Sequence, residues 1–360
     1  MKGVTMPATR KEVKTVWLAL DYACNNRCQG CYAASSTFKS EPMAMEYALK
    51  VLGFAKALGA RDCLMIGGEP TLYRNLSELM RQARPLGLEF KLVTNGRRLV
   101  ALDYLTELKD AGLNHVSISV EGARPETHNR ISNSSSFHQV MRAIENCAKL
   151  RMNFNTLFTI GPDNAGEIVE SAKDLARMGV KHILYNVGLP SPGNQDVGGG
   201  AGSIHPQTAA SKITEAYLQL KSLGIKVKFN MTIPLCLIET PMLEVMLEDG
   251  YISSGAHCHI FYGKGVVFEA NGNVLPCTHF VGHPLLNLKT LGIQTAEEFI
   301  KLWYSESGLH GTFHEALWKY PHPKCQQDCK YWGECVGGCP FLWVHFDPNQ
   351  VFGKQGEAQP

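Results

Sequence analysis

The stretch VWLALDYACNNRCQGCY, residues 16–32, joins a short apolar run to the closely spaced cysteines Cys24, Cys28 and Cys31. Three cysteines in eight residues can belong to a disulfide knot, to half of a zinc site, or to an iron–sulfur cluster. A structural zinc site needs a fourth sulfur or nitrogen ligand close by. The nearest histidine is His115, and no fourth cysteine is local. The spacing therefore favours an iron–sulfur cluster in which one iron has no protein ligand.

Length and charge limit the classes of protein that fit. The chain has 360 residues, which is too long for one ordinary hydrophobic core unless the fold is a barrel. Its 35 basic and 33 acidic residues leave a formal charge of +2. This balance argues against nucleic-acid and membrane-surface binding, which need excess positive charge. The short basic pair Arg97–Arg98 is interpreted as part of a solvated face.

The cellular location is predicted from the targeting and membrane-spanning segments that the sequence lacks. No secretory signal is visible, and no stretch approaches the roughly 20 apolar residues of a membrane span. We therefore expect a cytoplasmic location with no membrane partner. In a reducing compartment, twelve cysteines are better interpreted as metal ligands or thiols than as disulfides.

Alternating patterns organise residues 15 to about 231. Short runs rich in Val, Ile and Leu are each followed by a longer segment with helical spacing. Repeated β-then-α units predict a parallel sheet covered by helices, either a barrel or a doubly wound sheet. Strands are expected at Val16–Asp21, Asp62–Ile66, Glu89–Thr94, His115–Val120, Asn153–Ile160, His182–Val187 and Lys226–Met231, with helices beginning near Met43, Asn75, Leu102, Ser136, Asn164 and Gln207.

Polar motifs directly follow the first four expected strands. After the cysteine loop come Gly67–Pro70, then Asn95-Gly96, then Glu121-Gly122. The carboxyl ends of parallel strands meet at one rim, where such folds bind their ligands. We therefore expect these motifs to form one site.

The character of the chain changes past residue 232. Seven of the twelve cysteines lie between residues 236 and 339, in a segment with little hydrophobic periodicity. Such a segment is best explained as held together by metal. The expected divisions are an N-terminal extension (1–14), the β/α core (15–235), a small cysteine-rich domain (236–350) and a tail (351–360). The Gly/Pro-rich stretch 189–206 is either an active-site lid or a flexible insertion.

The order and placement of the rim motifs resemble the radical S-adenosylmethionine (SAM) enzymes. The C-x3-C-x2-C loop follows the first strand, and IGGEP (66–70), TNG (94–96) and SISVEG (117–122) follow in the family's order. The resemblance covers roughly residues 15 to 231 and implies an α/β fold with a partial (β/α)6 barrel. Two positions depart from the usual pattern. Gly30 stands where an aromatic residue is common, with Tyr32 nearby, and Glu121 stands where relatives often have Asp.

The resemblance also implies the cofactors. Cys24, Cys28 and Cys31 would hold a 4Fe–4S cluster whose open iron is chelated by SAM. Reductive cleavage of SAM would then give a 5′-deoxyadenosyl radical that abstracts hydrogen from a substrate, with the cofactors supplying the difficult chemistry. Glu69 would hold the methionine amino group. The implied SAM contacts are Gly67, Gly68, Glu69, Asn95, Ser119, Glu121 and Tyr32.

The cysteine-rich segment resembles the SPASM extension of peptide-modifying relatives. Its pattern is Cys258-x13-Gly272-x4-Cys277, then Cys325-x3-Cys329-x5-Cys335-x3-Cys339. By resemblance, Cys258, Cys277 and Cys339 hold a first auxiliary 4Fe–4S cluster, and Cys236 is offered as its fourth ligand. Cys325, Cys329 and Cys335 would hold a second.

Alternatives remain for these thiols. No cysteine follows Cys339, so the second cluster has another ligand, such as His345 or Asp347, has an open site, or is absent. A zinc knuckle of Cys325, Cys329, Cys335 and Cys339 competes with it, and Cys236 can be an ordinary buried thiol. Cys63 and Cys147 are interpreted as core, with hydrogen donation to a substrate radical as the alternative. The histidines His257, His259, His279 and His283 are interpreted as neighbours of the clusters or surface residues rather than ligands.

Relatives with this extension most often mature a ribosomally made precursor peptide by crosslinking, epimerisation or backbone modification. Only about fourteen residues precede the first strand, so a separate small protein or the barrel rim would recognise the leader. The rival is a dehydrogenase or epimerase acting on a sugar, aminoglycoside or nucleoside. Either needs an electron donor such as flavodoxin or ferredoxin. A cluster carrier would need neither the GGEP motif nor an open iron.

Overall fold

A mixed sheet of eleven strands organises the residues described by the computed structural model, which are 13–33, 41–190, 202–253, 258, 265–305, 322–323, 325, 329–333 and 335–352. The strand order is β11-β10-β9-β1-β2-β3-β4-β5-β6-β7-β8. Strands β1 to β8 pair in parallel in chain order, and β9 pairs in parallel with β1. The strands are β1 Thr15–Asp21, β2 Asp62–Gly67, β3 Glu89–Thr94, β4 Leu113–Ser119, β5 Phe154–Ile160, β6 Ile183–Val187, β7 Lys228–Asn230, β8 Ile252–Ser253, β9 Gly265–Glu269, β10 Asn273–Leu275 and β11 Leu286–Asn287.

The predicted α/β class and its repeated β/α units are confirmed. All seven expected strands form, and β3 has the predicted limits. Strand β7 is shorter than predicted, because only Lys228–Asn230 pair with β6. The helices are α1 Met45–Ala57, α2 Leu76–Ala83, α3 Leu102–Asp110, α4 Pro125–Ser132, α5 Phe137–Lys149, α6 Ile168–Arg177, α7 Pro206–Ser222, α8 Thr240–Glu248, α9 Ala296–Trp303, α10 Leu342–His345 and α11 Pro348–Phe352.

Helical periodicity places the core between the helices and the sheet. In α2, Leu76, Leu79, Met80 and Ala83 are buried, which is the spacing of one helix face. Helix α1 ends where Gly59 takes the left-handed φ of 94°. Among the described residues, no helix is both long and apolar enough to span a bilayer.

The C-terminal segment continues the sheet. Strand β9 pairs with β1, so that Val16 lies opposite Val266. Helix α9 is anchored by Phe299, whose ring stacks 5.3 Å from that of Trp303 and meets Phe54 of α1 edge-on at 5.7 Å. Strands β9 to β11 and α9 therefore pack onto the β/α core, and the predicted domain limits stay a prediction.

Candidate active site and thiol groups

The carboxyl ends of β1 to β6 surround a cavity of about 470 Å³. This volume is typical of sites for small molecules and cofactors. The cavity brings together every residue that the resemblance assigned to the first cluster and to SAM. These lining residues are Cys24, Cys28, Cys31, Tyr32, Gly67, Gly68, Glu69, Asn95, Ser119 and Glu121.

Arg97 holds one side of the cysteine loop. Its guanidinium donates to the carbonyl of Asn25 and, at 3.2 Å, to Oδ1 of Asn26, while Nε donates to Oε1 of Gln139 at 2.7 Å. A planar guanidinium suits several fixed acceptors at once. The interpretation of Arg97 as part of a solvated face is therefore wrong. Arg98 is exposed, but it also donates to a carbonyl, that of Thr71.

Helix α4, which the sequence reasoning missed, holds the other side of the loop. The backbone N–H of Arg27 donates to the Ser132 carbonyl at 3.1 Å, and that of Gln29 donates to the Ile131 carbonyl at 2.8 Å. The signal for this helix was Pro125, which occupies the first turn, where its missing N–H is not needed. The loop is thus fixed from both sides by backbone and side-chain bonds.

The two glycines of the GGEP motif lie against the end of β1. A Cβ at Gly67 would lie 2.1 Å from the carbonyl oxygen of Asp21, and one at Gly68 would lie 2.3 Å from that of Ala23. The N–H of Gly68 donates to the Asp21 carbonyl at 2.9 Å. Only glycine fits this close approach of two backbones, so the motif sets the position from which the cysteine loop begins.

The Glu69 carboxylate is buried at 1% exposure and bonded by neutral donors. Oε1 accepts from Thr71 N (3.0 Å) and Oγ1 (2.6 Å) and from Thr94 Oγ1 (2.7 Å), and Oε2 accepts from Asn95 N (2.8 Å). Burial raises the pKa of Glu69, and these hydrogen bonds oppose that rise. Glu69 lines the cavity, and among these hydrogen bonds its Oε2 accepts only the one from Asn95, so a ligand cation such as an ammonium group would complete the site.

His128, which lies in the missed helix α4, is a site residue that sequence reasoning also missed. Its Nδ1 accepts the N–H of Glu121 at 3.1 Å, and its Nε2 lies 3.1 Å from Ser136 Oγ. Burial lowers the pKa of His128 to about 4, so the ring is neutral and can accept this bond. Burial also raises the pKa of Glu121 to about 7. The end of β4 therefore presents to the cavity a carboxyl group of unusually low acidity.

All twelve cysteines are free thiols, so the disulfide alternative is wrong. Burial raises the pKa of Cys24 to about 11 and that of Cys28 well above its usual range, and the neighbouring thiols add to both. Within the described parts of the chain, no three His, Cys, Asp or Glu residues are placed to hold a single metal ion. The three thiols of the loop are soft donors of the kind that hold iron–sulfur clusters.

The backbone conformation at position 30 explains why glycine, rather than an aromatic residue, precedes Cys31. The φ of Gly30 is 72°, in the left-handed region that favours glycine. A Cβ on Gly202 would lie 3.1 Å from the Gly30 Cα, so residue 202 covers this loop. Most of the expected lid, residues 191–201, lies outside the described residues.

The C-terminal thiols form two groups. Burial raises the pKa of Cys339 well above its usual range, and the thiols of Cys258 and Cys277 add to this rise. These three cysteines line a cavity of about 140 Å³. Burial likewise raises the pKa of Cys236 to about 12, and there the contributing thiols are those of Cys335 and Cys329. Cys236 is not among the residues that line the cavity of the set in which the sequence placed it, whereas Cys335 of the zinc knuckle alternative lines that cavity together with Cys339.

His345 and Asp347, the suggested non-cysteine ligands, are exposed residues outside these groups. The Asp347 carboxylate accepts from the backbone and side chain of Asn349 at 2.9 and 3.1 Å. Cys63 and Cys147 are fully buried in β2 and α5, and burial raises the pKa of each thiol to about 12. Neither lines the cavity, which agrees with their interpretation as core.

His279 lies between the two cavities and lines both. Its ring lies 5.7 Å from that of Tyr32 and stacks 5.7 Å from that of Phe341. Nδ1 lies 3.7 Å from Sγ of Cys277. Burial lowers the pKa of His279 to about 4, so the imidazole is neutral. This ring therefore connects the large cavity with the Cys258, Cys277 and Cys339 group.

Comparison with known families gives one match over this region. Residues 21–175 match the Radical SAM superfamily. The predicted radical SAM domain is therefore confirmed over these residues, which include the cysteine loop and the motifs after β2, β3 and β4.

Curated relatives align over about half of the chain. A "Probable GTP 3',8-cyclase" of Thermococcus kodakarensis is 27% identical over 187 residues, which are 51% of this chain and 59% of that protein. An "Fe-coproporphyrin III synthase" of Methanosarcina barkeri is 29% identical over 183 residues, 49% of this chain and 45% of that protein. The chain thus spans about half the length of these relatives.

Solved structures share the fold over most of the chain. Streptococcus suis SuiB bound to SAM aligns with a TM-score of 0.69 at 14% identity, over 94% of this chain and 75% of that one. The anSMEcpe structure with bound AdoMet and the Kp18Cys peptide aligns with a TM-score of 0.68 at 21% identity, over 90% of this chain and 88% of that one. These likenesses extend past the superfamily match into the cysteine-rich segment.

Proposed function

We propose that this chain, which carries a radical SAM domain over residues 21–175, reductively cleaves SAM and abstracts hydrogen from a bound substrate. One observation carries the proposal: Cys24, Cys28, Cys31 and the buried carboxylate of Glu69 line a single cavity. When bound, the cluster and SAM supply the carbon radical. The protein holds the thiolates, receives the amino group at Glu69 and surrounds the reacting atoms with buried side chains.

The test is anaerobic reconstitution with iron and sulfide, followed by measurement of 5′-deoxyadenosine formed from SAM with dithionite. The native chain is expected to form it, and a Cys24→Ala/Cys28→Ala/Cys31→Ala variant is expected to form none. A Cys147→Ala variant is the control, because Cys147 lies in the core of α5. Cleavage of SAM by the triple variant would overturn the proposal.

The two C-terminal thiol groups are proposed to hold auxiliary 4Fe–4S clusters, as in a SPASM-type domain. Soft thiolate donors suit iron–sulfur clusters. Three clusters would give about twelve irons per chain and two would give about eight. Zinc in place of iron in the purified native protein would contradict this assignment.

A precursor peptide is the substrate class that we favour. The likeness to SuiB solved with precursor peptide SuiA covers 94% of this chain at a TM-score of 0.69, and so includes the cysteine-rich segment. This chain thus shares its fold with a protein that was solved with a bound peptide. In the proposed function, the rim above the cavity supplies the surface on which a peptide binds. A flavodoxin or ferredoxin is the expected electron donor.

A small molecule such as a nucleotide is the second candidate. It is favoured by the curated relatives named as probable GTP 3′,8-cyclases, although they align with only about half of the chain. The discriminating experiment adds GTP, or a short peptide encoded beside the gene, to the reconstituted enzyme with SAM. The true substrate should raise 5′-deoxyadenosine formation above the rate without substrate and should itself lose hydrogen by mass spectrometry.

A further inference from the structure

We propose that Cys236, from the segment that follows β7, is the fourth thiolate ligand of the cluster held by Cys325, Cys329 and Cys335. This ligand assignment rests on the auxiliary clusters of the proposed function. It differs from the sequence prediction, which placed Cys236 with Cys258, Cys277 and Cys339 and left the second set without a fourth cysteine.

Backbone contacts bring the segment of Cys236 onto that of Cys335. The N–H of Leu235 donates to Sγ of Cys335 at 3.4 Å, between residues that are 100 positions apart in the chain. Cys236 follows in the same short turn of helix, Leu235–Leu237. An N–H directed at a ligand sulfur is a common feature of iron–sulfur sites. The residue next to Cys236 therefore already contacts a thiol of the proposed set.

Close packing fixes how the segments 232–236 and 335–339 align with each other. The N–H of Cys339 donates to the Thr232 carbonyl at 2.6 Å. A Cβ at Gly338 would lie 2.9 Å from Cδ of Pro234. The segments 232–236 and 335–339 consequently run against each other, and only glycine at 338 permits this approach. Thr232 meets Cys339 at one end and Leu235 meets Cys335 at the other, so Cys236 follows the end of this contact that lies at Cys335.

A compact turn carries the later thiols of this set. The N–H of Trp332 donates to the Cys329 carbonyl at 3.1 Å, and that of Cys335 donates to the Tyr331 carbonyl at 2.8 Å. Cys236 interacts electrostatically with Cys335, Cys329 and Cys325, so the four thiols belong to one neighbourhood. Four thiolates are the usual ligand set of a 4Fe–4S cluster.

The assignment accounts for every cysteine. Three line the SAM cavity, Cys63 and Cys147 are buried in the core, and four belong to the Cys236 set. The other auxiliary set then has the three thiols of Cys258, Cys277 and Cys339. The imidazole of His279 lies beside it, with Nδ1 3.7 Å from Cys277 Sγ. The auxiliary cluster nearer the SAM cavity is thus the one that lacks a fourth cysteine.

The experiment counts iron and sulfide and records EPR spectra of four anaerobically reconstituted full-length proteins. They are the native chain, Cys236→Ala, the triple variant Cys325→Ala/Cys329→Ala/Cys335→Ala, and the quadruple variant that adds Cys236→Ala. The triple variant should hold about four irons fewer than the native chain. The quadruple variant should hold the same number as the triple, since Cys236 has no cluster left to bind. Cys236→Ala alone should lower the iron count or change the EPR signal of one cluster.

Cys258→Ala provides the matched control. Because Cys258 belongs to the other set, it should remove a further cluster in the triple background. The assignment is overturned if Cys236→Ala also removes further iron in that background, since Cys236 would then serve the Cys258 set. It is equally overturned if the triple variant, or Cys236→Ala alone, matches the native chain in iron and spectrum. SAM cleavage is measured separately, so failure of the radical reaction remains distinguishable from failure of this assignment.

Discussion

The imidazole of His279 lies 5.7 Å from the ring of Tyr32, measured between ring centroids. Tyr32 directly follows the cysteine loop of the SAM cavity, and His279 follows Cys277 of the nearer auxiliary set by two residues. Both rings line the large cavity. The pair therefore connects the two proposed cluster sites through side chains, and it can influence both the substrate and the auxiliary cluster.

His279→Phe is expected to lower the midpoint potential of the auxiliary cluster nearer the SAM cavity by tens of millivolts. A ring is kept between Tyr32 and Phe341, but the nitrogen 3.7 Å from Cys277 Sγ is lost. Hydrogen bonds to cluster sulfurs raise the potential, on the order of tens of millivolts each. Potentiometric EPR titration measures the change, and His283→Phe serves as the control. An equal shift in the potential of the first cluster would contradict a role specific to Cys277.

Arg97→Lys is expected to reduce SAM cleavage by about tenfold, because lysine cannot bond Asn25, Asn26 and Gln139 together. Loss of a charged hydrogen bond at a positioned loop should also speed removal of iron from the first cluster by a chelator. Both rates are measured beside Arg81→Lys, whose side chain pairs with the exposed carboxylates of Glu78 and Glu107. If the two variants behave alike, Arg97 does not position the loop.

Because His128 is neutral in the folded chain, we expect it to make the stability of the fold depend on pH in the acid range. Its pKa of about 4 in the folded chain lies below the ordinary value of 6.5. The unfolded chain therefore binds this proton first, so the contribution of His128 to the free energy of unfolding falls as the pH drops from 6.5 towards 4, while the raised pKa of Glu121 acts in the opposite direction. At pH 5.5 the loss from His128 is about 1 kcal/mol, and above pH 7 there is none.

His128→Gln keeps an acceptor for the Glu121 N–H but removes the titration. On going from pH 7.5 to pH 5.5, the melting temperature of this variant should fall less, or rise more, than that of the native chain, by about 2 °C for a chain of this size. His138→Gln, on the exposed side of α5, should keep the native difference. Equal pH dependence in the native chain and His128→Gln would show that the ring is not held neutral.

The strands and the rim were predictable because their signals are local. Runs such as Glu89–Thr94 are bounded by turn residues, and polar motifs after parallel strands must meet at one edge. Helix α4 was missed, since its buried residues Thr127, His128 and Ser132 are polar and give no apolar periodicity. Its contributions to the site are the carbonyls of Ile131 and Ser132, which no sequence motif records, and the ring of His128.

The grouping of the auxiliary thiols could not be predicted from spacing. Leu235, the neighbour of Cys236, contacts the Cys335 thiol across 100 positions of sequence, and that contact depends on how the segment after β7 packs against Gly338. The role of Arg97 was missed for the same reason. An arginine beside another basic residue looks solvated until the fold brings the Asn25 carbonyl to it.

A pair of glycine substitutions tests whether the GGEP motif positions the cysteine loop. Gly68→Ala would place a methyl group 2.3 Å from the Ala23 carbonyl oxygen, so the backbone before Cys24 must move. We expect this variant to lose about four irons per chain, those of the first cluster, and to cleave no SAM. Gly53→Ala is the control, since a Cβ there meets nothing within 4 Å in the middle of α1. That change should keep full iron content and raise the free energy of unfolding by about 0.5–1 kcal/mol. Native iron content and SAM cleavage in Gly68→Ala would show that the loop tolerates displacement, and that the close approach of these backbones does not set the cluster's position.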